Sequence, residues 1–180
     1  MNRVRRVQVG LTAVVFSIVS SLTLGATAAS AAPANAKARY CFTEMEPSAP
    51  GSRTLDFVSR TCSDTAAPGT LMPSTLVRPM VTYTLLVTFF ADVDYGGSYD
   101  TVGGRFGTCD SSGYGFGDLR NVEGNTGGIS SYKLNGACNN SDIWTGLQWT
   151  LDKRTFTTQN VRYVGAQHND KVYSMWVKHR

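Results

Sequence analysis

HNDKVYSMWV, residues 168–177, decides how this chain folds. Asn169-Asp170 is turn-forming, because short Asn and Asp side chains bond their own backbone and tolerate left-handed dihedrals. The residues that follow alternate around aromatic and β-branched positions, the pattern of a half-buried strand. A shifted version occurs earlier as GNTGGISSYKL, residues 124–134. Two turn-plus-strand segments of this kind predict one small all-β domain built from two similar halves.

Not all of the 180 residues belong to that domain. Arg3, Arg5 and Arg6 form a basic start, residues 9–24 are apolar or small, and Ala29-Ser30-Ala31 is a small-x-small cleavage signal. This reads as a secretory signal peptide over residues 1–31, with Ala34-Asn35-Ala36 as a second cleavage option. Ser17, Ser20, Ser21 and Thr23 dilute a run already short for a membrane span. The formal charge of the chain is +4, and removing three arginines with no acid leaves the mature protein near neutral. No strong field remains to favour nucleic acid or an anionic membrane. A secreted monomer is expected.

Cys41, Cys62, Cys109 and Cys138 all lie after the leader, and an even count in a secreted chain predicts two disulfides. There is no Cys-x-x-Cys, which disfavours zinc and redox chemistry. Joining nearest neighbours gives Cys41–Cys62 and Cys109–Cys138. Residues 32–80 read as an N-terminal arm and linker: a hairpin-like arm over 40–65 with Pro47, Pro50 and Gly51 at its middle, then a Pro-containing linker over 66–80. Residues 81–180 read as the β domain. VTYTLLVTFF (81–90) is a strand by composition, and residues 91–128 are too glycine-rich for any helical period. Further strands are expected over 129–134, 142–149, 154–157 and 172–177, giving a sandwich or barrel.

With these residues in place the chain resembles the βγ-crystallin family. The family motif opens with an aromatic, a second aromatic five residues on and a glycine two further, which Phe90, Tyr95 and Gly97 match. It closes with an Asn/Asp pair followed by two hydroxyl residues. Residues 126–131 keep Ser130 and Ser131 and lack the acidic pair; residues 169–174 keep Asn169, Asp170 and Ser174, with Tyr173 at the first hydroxyl position. In the second half Trp144 and Trp149 keep the aromatic spacing, and Leu151 stands where the glycine belongs. The likeness covers roughly residues 83–178. The layout also resembles secreted actinobacterial members grouped with I36-type peptidase inhibitors. The resemblance implies a Greek-key β-sandwich of two βγ-crystallin-like motifs with a disulfide-pinned N-terminal arm.

It also implies calcium ligands shared crosswise between the halves. One site would combine Asp170, the Lys171 carbonyl and Ser130. The other would combine Gly127 and Tyr173, and has no suitable side chains. At most one weak calcium is therefore expected, in the range of about 10⁻⁴–10⁻³ M typical of extracellular modules. Physically, Ser130 and Ser131 are expected to tie the first hairpin to its strand.

Catalytic material is sparse. His168 and His179 are the only histidines and are expected to be exposed. Asp92, Asp94 and Asp100 read as solvated turn formers, and Trp144, Trp149 and Trp176 as core. No enzyme activity is expected. Two functions from different classes follow: a secreted non-enzymatic binding or structural module, and a peptidase inhibitor acting on a secreted protease. The Gly-rich 103–117 loop and the arm between Cys41 and Cys62 are the inhibitory candidates.

Overall fold

Strand formation follows the apolar and β-branched runs in the computed structural model, which describes residues 39–65, 83–122 and 128–180. The leader (1–31) and linker (66–80) readings lie outside the described residues. The strands are β1 (Tyr40–Pro47), β2 (Thr54–Ser63), β3 (Thr84–Phe90), β4 (Tyr99–Gly104) and β5 (Tyr114–Phe116). They continue with β6 (Ser131–Leu134), β7 (Asn140–Trp144), β8 (Lys153–Phe156), β9 (Asn160–Val161) and β10 (Ser174–Lys178).

Strands β3–β6 form the first motif and β7–β10 the second. Within each, the first strand pairs antiparallel with the second and the fourth: β3 with β4 and β6, β7 with β8 and β10. The third strand crosses to the other motif, so β5 pairs with β10 and β9 pairs with β6. The result is two sheets, β4-β3-β6-β9 and β8-β7-β10-β5. Because each sheet borrows a strand, neither motif completes its sheet alone.

The arm does more than precede this domain. β1 and β2 form an antiparallel hairpin in which Cys41 faces Cys62, with their Cα atoms 4.1 Å apart and the disulfide joining them. β1 runs parallel to β4 from Tyr40↔Tyr99 to Met45↔Gly104, and β2 pairs with β5 at Thr54 and Leu55. The hairpin thus links the two sheets into one hydrogen-bonded order of ten strands. Arm and motifs belong to one unit, residues 36–180. The second disulfide, Cys109–Cys138, ties the β4–β5 connection to the segment before β7.

The core lies between the sheets. Phe89, Tyr132 and Val87 from one meet Ile143, Met175 and Phe116 from the other, all fully buried. Each such side chain contributes about 1.5–3 kcal/mol through burial. Met45 and Leu55 of the arm enter the same core. The Tyr132 hydroxyl lies 2.7 Å from Ser141 Oγ and its ring packs edge-on against Phe156, which locks β6 against the opposite sheet.

Candidate functional site

Two folded hairpins and the strands that clamp them form the site. The first lies between β3 and β4. Asp94 and Tyr95 adopt left-handed φ values of 56° and 67°, and Gly97 follows at 74°. Tyr95 packs edge-on against Phe90 with centroids 5.5 Å apart. Ser131 at the start of β6 fastens the hairpin: its Oγ donates to the Asp92 carbonyl (2.6 Å) and accepts from the Tyr95 N–H (3.0 Å).

The second hairpin repeats this geometry between β7 and β8. Gln148, Trp149 and Leu151 take φ values of 49°, 60° and 63°. Ser174 at the start of β10 donates to the Gly146 carbonyl (2.6 Å) and accepts from the Trp149 N–H (3.0 Å). Each hairpin also reaches across to the other motif: the Asp94 N–H bonds the Arg162 carbonyl, and the Gln148 N–H bonds the Gly117 carbonyl. Leu151 therefore adopts the conformation that Gly97 supplies in the first half. Its side chain is 77% exposed.

Ser130 does not share in the clamp that the sequence suggested for both serines. Buried to 5% exposure, it turns toward the second motif, where its Oγ donates to Asp170 Oδ1 at 3.2 Å. Asp170 has a left-handed φ of 57°, and its Oδ2 accepts from Asn169 Nδ2 at 2.7 Å. The Asp170 carboxylate fills the place beside Gly128 where a Cβ would stand, 2.2 Å from Oδ1. Lys171 follows directly, its N–H bonded to the His168 carbonyl. The crosswise pair is thus brought together from the two halves. Gly127 of the other pair lies outside the described residues. Among the described residues no group of three or more His, Cys, Asp or Glu side chains converges.

Three expectations need correction. His168 is buried rather than exposed, because the turn over 165–170 folds it beneath the chain, with Nε2 3.3 Å from the Asp152 carbonyl. His179 is exposed, and its Nδ1 bonds the Ala137 carbonyl. Among the described residues neither ring bonds a serine hydroxyl. Asp100 is no turn residue: it sits in β4 with no exposure. Its Oδ2 accepts from Thr43 Oγ1 and Arg60 Nε, each at 2.9 Å, and burial pushes its pKa up to about 6 despite the arginine. Trp144, Trp149 and Trp176 are half-buried and lie outside the core cluster. Trp149 and Trp176 pack edge-on at 5.5 Å, and Lys153 lies over Trp144.

No family model matches the chain, and no curated protein matches it. Solved structures do. The chain is similar to a βγ-crystallin domain from Clostridium beijerinckii at 25% identity, over 52% of this chain and 97% of that one, with a TM-score of 0.38. A double mutant of that domain gives 26% identity, 53% and 98% coverage, and a TM-score of 0.39. A βγ-crystallin from Ciona intestinalis gives 19%, 52%, 98% and 0.36.

Proposed function

We propose that this protein is a secreted, non-enzymatic βγ-crystallin-like binding module that holds one calcium ion weakly between its two motifs. The observation that carries the reading is the contact between Ser130 of the first motif and Asp170 of the second. Both are oxygen donors of the kind calcium takes, and they come from opposite halves of the fold. The neighbouring Lys171 carbonyl is the third donor, with water to complete six to eight oxygens. One carboxylate compensates little of a double charge, which sets the affinity low. A bound ion would cross-link the β6 start to the turn before β10, and its role here is stabilisation and not chemistry.

Calorimetric titration of wild type beside Asp170→Ala and Ser130→Ala tests this. Wild type should bind one calcium with a dissociation constant of roughly 10⁻⁴–10⁻³ M. Both variants should lose the heat, and millimolar calcium should raise the wild-type melting temperature through ligand linkage. Absence of heat in wild type, or unchanged binding in both variants, removes calcium from the account.

A second reading, peptidase inhibition, draws on the β4–β5 loop. Cys109 pins it, and Asp110 braces it: Oδ1 accepts from the Ser112 and Gly113 N–H groups, and Oδ2 pairs with Arg53 at 2.7 Å. The Gly113 N–H, the Arg53 side chain and the Ser112 N–H hold the Asp110 carboxyl below its ordinary range. A rigid, exposed loop suits an enzyme cleft. Inhibition assays against secreted serine, cysteine and metalloproteases separate this reading from the first.

A further inference from the structure

Asn135-Gly136 is the only Asn-Gly pair in the chain. It opens the turn between β6 and β7, which is the connection between the two motifs. Gly136 takes a left-handed φ of 58°, a conformation that glycine adopts at little steric cost. The Cys138 N–H bonds the Asn135 carbonyl at 3.2 Å and closes the turn. Cys138 in turn carries the bridge to Cys109.

This pair is open to reaction on both sides. Gly136 is exposed, and among the described residues its N–H donates no hydrogen bond. A Cβ at Gly136 would meet nothing nearer than Thr108 Oγ1 at 3.6 Å, so the space beside this residue is clear. The Asn135 side chain is half-buried, and among the described residues it is held only by the bond from Nδ2 to Thr88 Oγ1 at 3.2 Å. An asparagine amide is an electrophile at Cγ, and the backbone nitrogen of the next residue is within reach as a nucleophile. A side chain on that next residue crowds the approach, and glycine has none. Every other asparagine of the chain is followed by a residue that carries one.

We propose that Asn135 is a site of spontaneous deamidation, which places aspartate or isoaspartate between the two motifs. Base removes the Gly136 N–H proton, the nitrogen bonds to Asn135 Cγ, and the Cγ–Nδ2 bond breaks to release ammonia. Water then opens the succinimide. Breaking the bond from the Gly136 nitrogen to Cγ gives aspartate. Breaking the bond from that nitrogen to the main-chain carbonyl carbon gives isoaspartate, whose chain runs through Cβ and Cγ. Either product is a carboxylate at neutral pH. In isoaspartate the carbonyl that bonds the Cys138 N–H has become a free carboxylate on a lengthened chain, so the turn loses the geometry of its closing bond. The inference goes beyond the calcium and inhibition readings and depends on neither.

The test is to age the purified, folded protein in mildly alkaline buffer and map its peptides by mass spectrometry, with isoaspartate and aspartate forms separated by chromatography. Asn135 should convert roughly tenfold faster than any other asparagine, because only its neighbour presents an uncrowded nitrogen. Gly136→Ala should slow the conversion by about tenfold for the same reason. If that variant fails to fold, the wild-type map still decides, since the other asparagines serve as internal standards. Asn135→Asp carries the new charge on an ordinary backbone and should melt close to wild type, with the isoaspartate fraction of aged protein melting below both. Conversion at Asn135 no faster than elsewhere overturns the proposal, as does undiminished conversion in Gly136→Ala. An isoaspartate fraction that melts together with Asn135→Asp overturns the effect assigned to the turn.

Discussion

Leu151 shows how one residue can depart from its motif while the motif survives. Its φ of 63° carries a left-handed penalty of about 1–2 kcal/mol for an L side chain. The Ser174 clamp and the Gln148–Gly117 backbone bond hold the hairpin in shape regardless. Because the side chain is mostly exposed, replacement by glycine gives up little packing. Allowing for the extra entropy of unfolded glycine, Leu151→Gly should stabilise the fold by about 0.5–1 kcal/mol. A rise in the urea midpoint at constant slope is the expected reading. The converse change, Gly97→Leu, should destabilise, since a Cβ there falls 2.7 Å from Asp92 Oδ2 as well as adopting φ of 74°. If glycine at 151 lowered the midpoint, the local strain assigned to this hairpin would be wrong.

At the scale of elements, the arm is the instructive case. Its hairpin was legible from two short stretches around Pro47, Pro50 and Gly51 and from two cysteines. Its place inside the sheet was not, because the partner strand β4 ends in Gly103-Gly104, a pair that reads as a turn. The structure gives the pair a different reason: a Cβ on Gly104 would lie 2.1 Å from the Met45 carbonyl, so β1 can approach only a bare backbone. β9, only two residues long, has no periodic signal to detect. The stretch 142–149, expected as one strand, stops at Trp144 because the hairpin needs its left-handed residues next. Asp100 was misread for a similar reason: isolated among polar residues, it carries no sign that Arg60 and Thr43 arrive from the arm.

That buried carboxyl makes arm docking depend on pH. Asp100 has a folded pKa of about 6, raised above the unfolded value of 3.8 chiefly by burial. The folded state therefore holds the proton more tightly, and the stability this gives is full below the unfolded pKa and lost as pH rises through the folded one. Lowering pH from 7 to 5 should stabilise wild type by about 1 kcal/mol through this group. Asp100→Asn should remove that increment. Urea melts at the two pH values read the difference directly. An unchanged pH dependence in the variant would show that Asp100 is no more costly to ionise in the fold than in the unfolded chain.

For the whole molecule, the exchange of β5 and β9 means that the motifs must fold together, and the arm then joins both sheets along one side. The crosswise hairpin bonds and the Ser130–Asp170 contact follow from the same exchange. The closing segments of the motifs forecast the two halves, because spacing and residue type survive even where single positions are lost. The joining of the sheets needed structure, since parallel pairing of β1 with β4 spans residues far apart in sequence. The arm's role as an integral element is the central structural claim, and native-state amide hydrogen exchange tests it most directly. β1 has a paired strand on each side, whereas β8 and β9 are the ends of the strand order. The interior amides of β1 should exchange as slowly as those of β3 and β6, and more slowly than those of β8. Fast exchange along β1, with β3 and β6 protected, would show that the arm is an appendage and contradict the account.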